Sequence, residues 1–291
     1  MIESRARDRW EWWHIALVLV VTAASIAACA DAWRDMIFIA DRDEEQSHIF
    51  LAPIIAIWMA WARRIRLRKI TPRGSVVGLL LVGVGAIVSH LGFIYSVDVA
   101  WHAGAVLVLV AAVLAVTGRH FFFAFIASFA VLAFMVPVPG LIRQTIALPL
   151  QNWTAVATQV VLETLGVEVD RVGNVLIVNS EQIAVAEACN GLRMVWALIL
   201  VTYAFAFSIP LRPLTRGVLL ILSPFVALFC NIVRLVPTAA LYGYASREAA
   251  DKFHDISGWL MLPLAFIGLL ITIRLLRWAL VPVGRFNLAY Q

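Results

Sequence analysis

Long apolar runs dominate the chain, and most of them have the length that an α-helix needs to cross a bilayer. About 20 apolar residues in a helix span the hydrocarbon core. We predict eight spans, at about residues 14–33, 48–62, 75–96, 99–117, 120–142, 191–210, 217–242 and 255–275. The pattern predicts an all-α integral membrane protein that forms a single transmembrane domain over residues 1–291.

Composition agrees with this pattern and excludes a soluble globular protein. Hydrophobic residues make up 63% of the chain, charged residues make up 14%, and the mean hydropathy is +0.91. Soluble domains are about half apolar and a quarter charged. The formal charge of +5 comes from Lys and Arg gathered in a few loops. Such clustering reports membrane orientation, so we expect no nucleic-acid partner.

The basic residues predict the orientation in the cytoplasmic (inner) membrane. They occupy alternate loops, which the positive-inside rule assigns to the cytoplasm together with both termini. These residues are Arg5, Arg7, Arg9, the cluster within 63–73, Arg119, Arg212, Arg216, Arg274, Arg277 and Arg285. A cleavable signal peptide is the alternative for the N-terminus. Its apolar run is long and further spans follow it, which favours a retained first helix.

One long segment, 143–188, falls on the opposite, outer side. Residues Thr145–Leu165 mix apolar and amide side chains and predict an interfacial helix. The next residues, 167–186, alternate β-branched residues with turn signals and predict a short β-hairpin that leads into Cys189.

A candidate nucleophile stands at the start of the sixth predicted span, in the stretch Glu187-Ala-Cys189-Asn190-Gly191-Leu-Arg193. A helix N-terminus and a nearby cation both favour the reactive thiolate form of a cysteine. Asn190 and Gly191 predict a turn whose backbone N–H groups are positioned to donate to an oxyanion. The alternative is that Cys189 is a small buried hydrophobe.

Arg234 lies inside the seventh predicted span, where an arginine is costly unless it is paired or faces water. Asn231 lies one helical turn away on the same face. We interpret Arg234 as a group that stabilises an oxyanion or binds a carboxylate. A structural bond to backbone carbonyls freed by Pro237 remains the alternative.

His254 begins the eighth predicted span and supplies a side chain that can act as general base and acid near neutral pH. The predicted topology places Cys189, Arg234 and His254 in the outer half of the membrane. Asp255 follows in sequence, but its position on a helix gives no reason to make it the partner of His254.

Other polar residues are weaker candidates. Asp98 and His102 lie four residues apart on one helix face and predict an ion pair, with a proton site as the alternative. A disulfide between Cys189 and Cys230 is conceivable, although their predicted depths fit poorly. No Cys or His spacing resembles a metal site, and no Gly-rich phosphate loop is present, so we expect neither a metal nor a cofactor.

Together these residues resemble the exosortase and archaeosortase family of multi-span membrane enzymes. The family pattern Ala-Cys-x-Gly-x-Arg corresponds to residues 188–193, Asn-x-x-Arg to 231–234, and a His on the next span to His254. The likeness extends by motif over about 167–259, so the catalytic part would be about 167–260. The chain departs from the pattern at Asn190 and Met194, where Ser is frequent. That difference bears on the subfamily.

The resemblance implies a cysteine protease or transpeptidase that cleaves a C-terminal sorting signal at the outer face of the membrane. Such a signal consists of a short motif, a transmembrane helix and a basic tail. By matched position Cys189 would be the nucleophile, His254 the general acid and base, and Arg234 the oxyanion stabiliser. Asn190, Gly191, Arg193 and Asn231 would support them. The partners implied are membrane-anchored substrate proteins and a possible lipid-linked or polysaccharide-linked acceptor.

Two other functions remain open from the residues alone. A non-catalytic component of a polysaccharide export or assembly system would use Arg234 and the basic loops structurally. A small-molecule transporter would use the intramembrane polar residues as a path for substrate or protons. Transporters often contain inverted repeats, and no internal repeat is visible in this sequence.

Overall fold

The computed structural model of the protein describes residues 10–185, 191–209 and 211–279. The helices are α1 Trp12–Ala28, α2 Ala30–Arg42, α3 His48–Ala62, α4 Val76–Ile94, α5 Asp98–Thr117, α6 Arg119–Ala124, α7 Ile126–Val131, α8 Gly140–Thr164, α9 Gly191–Ser208, α10 Pro213–Tyr244 and α11 Arg247–Ala279. Short 3-10 helices cover Glu44–Gln46, Arg64–Lys69 and Leu132–Met135. The mainly helical, apolar character that the sequence predicts is confirmed.

The predicted count of eight spans is not confirmed. Among the described residues, α4, α5 and α10 are long and apolar enough to cross a membrane, and the number rises to six if each of three bent helix pairs is one span. The predicted span 14–33 breaks at Cys29, where α1 and α2 meet at 77°. The predicted span 120–142 is also broken, since the helical run Ile126–Met135 meets α8 at 91°.

Proline explains the second break. Val136 is extended, with φ −73° and ψ 118°, and it stands directly before Pro137. The proline ring disfavours a helical conformation in the preceding residue. The eighth predicted span, in contrast, is longer than expected, because α11 already begins at Arg247. His254 therefore lies two turns inside this helix and not at its start.

Two compact units make up the chain. Residues up to 148 form one unit together with 203–208, and residues 149–202 form the second together with those from 209 onwards. Each is described by itself.

In the first unit α4 and α5 pack backbone against backbone. A Cβ added at Gly92 would lie 2.2 Å from the Trp101 nitrogen, and one added at Gly104 would lie 2.4 Å from the Ser89 nitrogen. Small residues let membrane helices approach this closely and gain dispersion energy along their length. These glycines therefore fix the α4–α5 pair.

The predicted ion pair between Asp98 and His102 is wrong. The buried His102 ring instead meets Asp35 of α2, with Nε2 2.9 Å from Oδ2. Asp98 occupies the first turn of α5, where a carboxylate interacts favourably with the helix dipole. Asp35 of α2 thus has its partner on another helix, which a spacing rule within one helix does not detect.

The first unit also fastens the beginning of α8. Arg143 pairs with Asp43, and its Nη1 lies 3.1 Å from a Glu45 carboxylate oxygen. The Val138 N–H donates to the Gln46 side chain at 3.0 Å. The acidic loop after α2 is therefore bound to the chain just before and at the start of α8.

A three-stranded antiparallel sheet belongs to the second unit, in the order β1 Val169–Val172, β2 Val175–Val178 and β3 Glu181–Ala184. The predicted single hairpin is therefore two consecutive hairpins. Asn179 and Ser180 form the second turn with φ of 50° and 67°, the left-handed backbone that two-residue hairpin turns require. Residues 145–164 are helical within α8, and the interfacial location of this helix stays a prediction.

Candidate active site

The sheet rests on an apolar cluster between two helices. Its core face presents residues including Leu176, Val178 and Val185, which pack with Leu162 of α8 and Leu235 of α10. The last of these lies directly after Arg234 in the sequence. Burial of this cluster therefore fixes the sheet beside the part of α10 that carries the candidate arginine.

Polar side chains join the sheet to α8. The Arg171 guanidinium donates from Nε to Gln159 at 3.1 Å and from Nη1 to Asn152 at 3.0 Å. The Asn174 side-chain amide donates to Gln151 at 3.1 Å, and the Asn174 backbone carbonyl accepts the Val185 N–H at 3.0 Å. These bonds fix the register of the chain four residues before Cys189.

A second junction holds the turn between β2 and β3 against the end of α10. Asn179 Nδ2 donates to the Gly243 carbonyl at 3.0 Å. A Cβ added at Gly243 would lie 2.4 Å from Val178 Cγ1 and 3.2 Å from the Val178 carbonyl oxygen. The turn can approach the helix this closely only because residue 243 has no side chain.

Substitution Gly243→Val is expected to displace the sheet from α10 and to lower stability by about 1–3 kcal/mol, as overpacking usually does. The thermal midpoint of the purified protein in detergent measures this effect. Gly217→Val is the matched control, because Gly217 lies in the same helix and a Cβ added there would meet nothing within 4 Å. Equal midpoints for the two variants would contradict the close packing at Gly243.

The candidate nucleophile Cys189 and its neighbour Asn190 lie outside the described residues. The next described residue is Gly191, at the start of α9, and Arg193 is exposed in the first turn of that helix. Val185 is bonded to the sheet on the other side of this gap. The meeting of the Cys189 thiol with the other candidates therefore stays a prediction.

Arg234 and Asn231 are both buried on α10, with side chains that are 8% and 1% exposed. Arg234 Nε and Asn231 Oδ1 have no hydrogen-bond partner among the described residues. No described carboxylate lies within 4 Å of the Arg234 guanidinium. The carbonyl bond that would make Arg234 purely structural is likewise missing in the described part of the chain. A buried cation of this kind is costly, so Arg234 remains a candidate for the functional site.

Helix α11, which carries His254, packs against Arg234 at Gly258. A Cβ built at Gly258 would lie 3.4 Å from Arg234 Nη1, so the guanidinium lies against the α11 backbone. Gly258 is one turn after His254 on the same helix face. His254 is half-buried, whereas Asp255 is exposed and points elsewhere. The helices that carry the predicted arginine and histidine therefore meet at Gly258. The sequence could not specify that this glycine is a point of close approach.

Two further observations concern Cys230 and the residue types that bind metals. Cys230 is a buried free thiol, so the conceivable disulfide with Cys189 receives no support. The described residues contain no group of three or more His, Cys, Asp or Glu side chains that could hold a metal ion.

Comparison with known proteins identifies the family. The family model described as Transmembrane exosortase matches residues 33–271, which is most of the chain. No curated protein matches the chain, and no solved structure does.

Proposed function

The chain belongs to the transmembrane exosortase family, and from that premise we propose that it is a cysteine protease or transpeptidase of C-terminal sorting signals. Its substrate is an exported protein that ends in a short motif, a transmembrane helix and a basic tail. The reaction takes place at the outer face of the cytoplasmic membrane.

The observation that carries this proposal is the buried Arg234 guanidinium beside Gly258 of α11. It is a fixed positive charge that lacks a carboxylate partner among the described residues, beside a glycine that lies one helical turn after His254. A preorganised cation in a site with little water stabilises a developing negative charge far more than it would in water. Acyl transfer through a thiol produces such a charge on the carbonyl oxygen.

In the proposed cycle the Cys189 thiolate attacks the scissile carbonyl and forms a tetrahedral oxyanion. Arg234 stabilises the oxygen, and Asn231 and the N–H groups at the start of α9 support it. The intermediate collapses to a thioester on Cys189, and the C-terminal fragment leaves as an amine with a proton from His254. An amine acceptor or water then attacks the thioester, loses its proton to His254 and releases the thiolate.

The membrane itself supplies much of the required proximity. A substrate anchored by its own helix presents the residues just outside the bilayer at a fixed depth. The basic tail on the cytoplasmic side would set that depth, as the positive-inside rule describes.

Replacing Cys189 tests the proposal. A native protein of the source organism with this C-terminal arrangement is tagged at both ends and co-expressed with wild type or with Cys189→Ala. We expect wild type to separate the two tags and the variant to lower processing by at least about 1,000-fold, as loss of a nucleophile does. Equal processing of the membrane-inserted substrate by both proteins would refute the nucleophile assignment.

A further inference from the structure

The free edge of β3 is a backbone surface that has no role in the proposed catalytic cycle. β3 pairs with β2 on one side only, in the register Val178 with Glu181 through Val175 with Ala184. It ends at Ala184, five residues before Cys189. A peptide that bound along this edge would extend towards the nucleophile.

The pairing pattern fixes which backbone groups face that edge. The Val185 N–H donates to the Asn174 carbonyl, so these two residues form a hydrogen-bonded pair. Such pairs alternate along an antiparallel ladder, so Ile183 and Glu181 also bond to β2. The N–H and C=O groups of Gln182 therefore point away from β2. Among the described residues no other backbone group bonds to them.

The opposite edge of the sheet is already covered. The Val169 carbonyl of β1 accepts a bond from Gln159 Nε2 at 3.5 Å, and the Arg171 side chain spans the space to Asn152 of α8. At β3 the side chains of Glu181 and Gln182 are exposed instead. The two edges of one small sheet thus differ, and the open edge belongs to the strand that precedes the proposed nucleophile in the sequence.

We propose that the substrate segment just outside its anchor helix binds in an extended conformation as a fourth strand on β3. This inference rests on the proposed function. Addition of a strand to an exposed edge recognises any peptide through its main chain, while side chains on alternate positions add selectivity. An extended peptide also exposes its scissile carbonyl, which a folded segment would hide. The outward N–H and C=O of Gln182 are the binding groups.

Proline at residue 182 tests this inference without breaking the sheet. The N–H of Gln182 makes no bond to β2, and proline is tolerated on edge strands where its missing N–H faces outward. Gln182→Ala is the matched control, because it removes the side chain and keeps the N–H. We expect Gln182→Pro to raise KM for the doubly tagged substrate about fivefold with little change in kcat, which corresponds to one lost hydrogen bond.

Two results would overturn strand addition. One is wild-type processing by Gln182→Pro, and the other is an equal loss in Gln182→Ala and Gln182→Pro, which would assign the effect to the side chain. The rate at which a small maleimide labels Cys189 checks that the site is intact, and we expect it to be unchanged in both variants.

A binding measurement separates this inference from the chemistry. A benzophenone side chain is introduced in place of Gln182 or, on the covered edge, in place of exposed Val172, both in a Cys189→Ala background. We expect irradiation to cross-link residue 182 to the substrate segment that precedes the anchor helix, and residue 172 to give little product. Equal cross-linking at both positions would overturn strand addition. Cross-linking at 182 together with unchanged processing by Cys189→Ala would retain the binding surface and refute the proposed function.

Discussion

Replacing Arg234 with Gln is expected to lower processing of the sorting-signal substrate about 100- to 1,000-fold, the usual loss when one oxyanion donor is removed. The amount of folded protein should stay unchanged or rise. A buried guanidinium without a carboxylate partner in the described part of the chain costs free energy, and a neutral side chain of similar shape relieves that cost. Rates in membrane vesicles and thermal midpoints in detergent measure the two effects.

The opposite signs of these effects discriminate between the two roles of Arg234. A structural arginine would reduce stability when it is replaced, and the loss of activity would follow the loss of folded protein. Arg247→Gln is the matched control, since Arg247 is exposed at the start of α11. We expect Arg234→Lys to recover only part of the rate, because an ammonium keeps the charge but loses the planar donor geometry. A thermal midpoint several degrees lower in Arg234→Gln would contradict the catalytic role.

Replacing His254 with Gln is expected to lower kcat about 100- to 10,000-fold with a small change in KM. The substrate is held by its helix and its extended segment, whereas His254 moves protons in the chemical steps. The substitution should also slow maleimide labelling of Cys189 near neutral pH, and the deficit should shrink as the pH rises and the thiol ionises without help.

His90→Gln is the control for this prediction, because His90 is exposed on α4. It should leave both the kinetics and the labelling profile unchanged. If His254→Gln lost processing but labelled Cys189 like wild type at every pH, His254 would not act on the thiol. The proposed acid and base role would then be restricted to the leaving group.

The parts of the fold that the sequence predicts well are the uninterrupted apolar helices. α4, α5 and α10 follow from continuous runs whose length matches a bilayer, and hydropathy needs no knowledge of neighbours to find them. The breaks were harder to predict. The apolar run ends just after Cys29, and charged residues follow from Asp31, but this pattern does not say that the chain continues in a second helix at 77° to the first.

The candidate site also has one part that the sequence predicts and one part that it does not. Arg234 and Asn231 were predictable because a charged residue in an apolar helix is costly wherever it occurs. The contact between Arg234 and Gly258 was not, since it depends on the relative register of α10 and α11. His102 illustrates the error that results, because the nearest carboxylate in sequence was Asp98 and the partner in space is Asp35.

The sheet, too, was predicted only in part from the sequence. Alternating β-branched residues predicted a hairpin, and the turn at Asn179 and Ser180 added a third strand. The side-chain bonds from α8 to Arg171 and Asn174 join residues about 20 positions apart. No periodicity in the sequence encodes such bonds, yet they set the path of the chain towards Cys189.

The most direct measurement of the central claim is isolation of the acyl-enzyme. Wild-type protein is co-expressed with the tagged substrate, denatured rapidly in acid and analysed by mass spectrometry with and without hydroxylamine, which cleaves thioesters. Our account predicts an adduct between Cys189 and the new C-terminus of the substrate that hydroxylamine removes and that Cys189→Ala lacks. Cleavage of the substrate without such an adduct, at an equal rate in Cys189→Ala, would contradict the account.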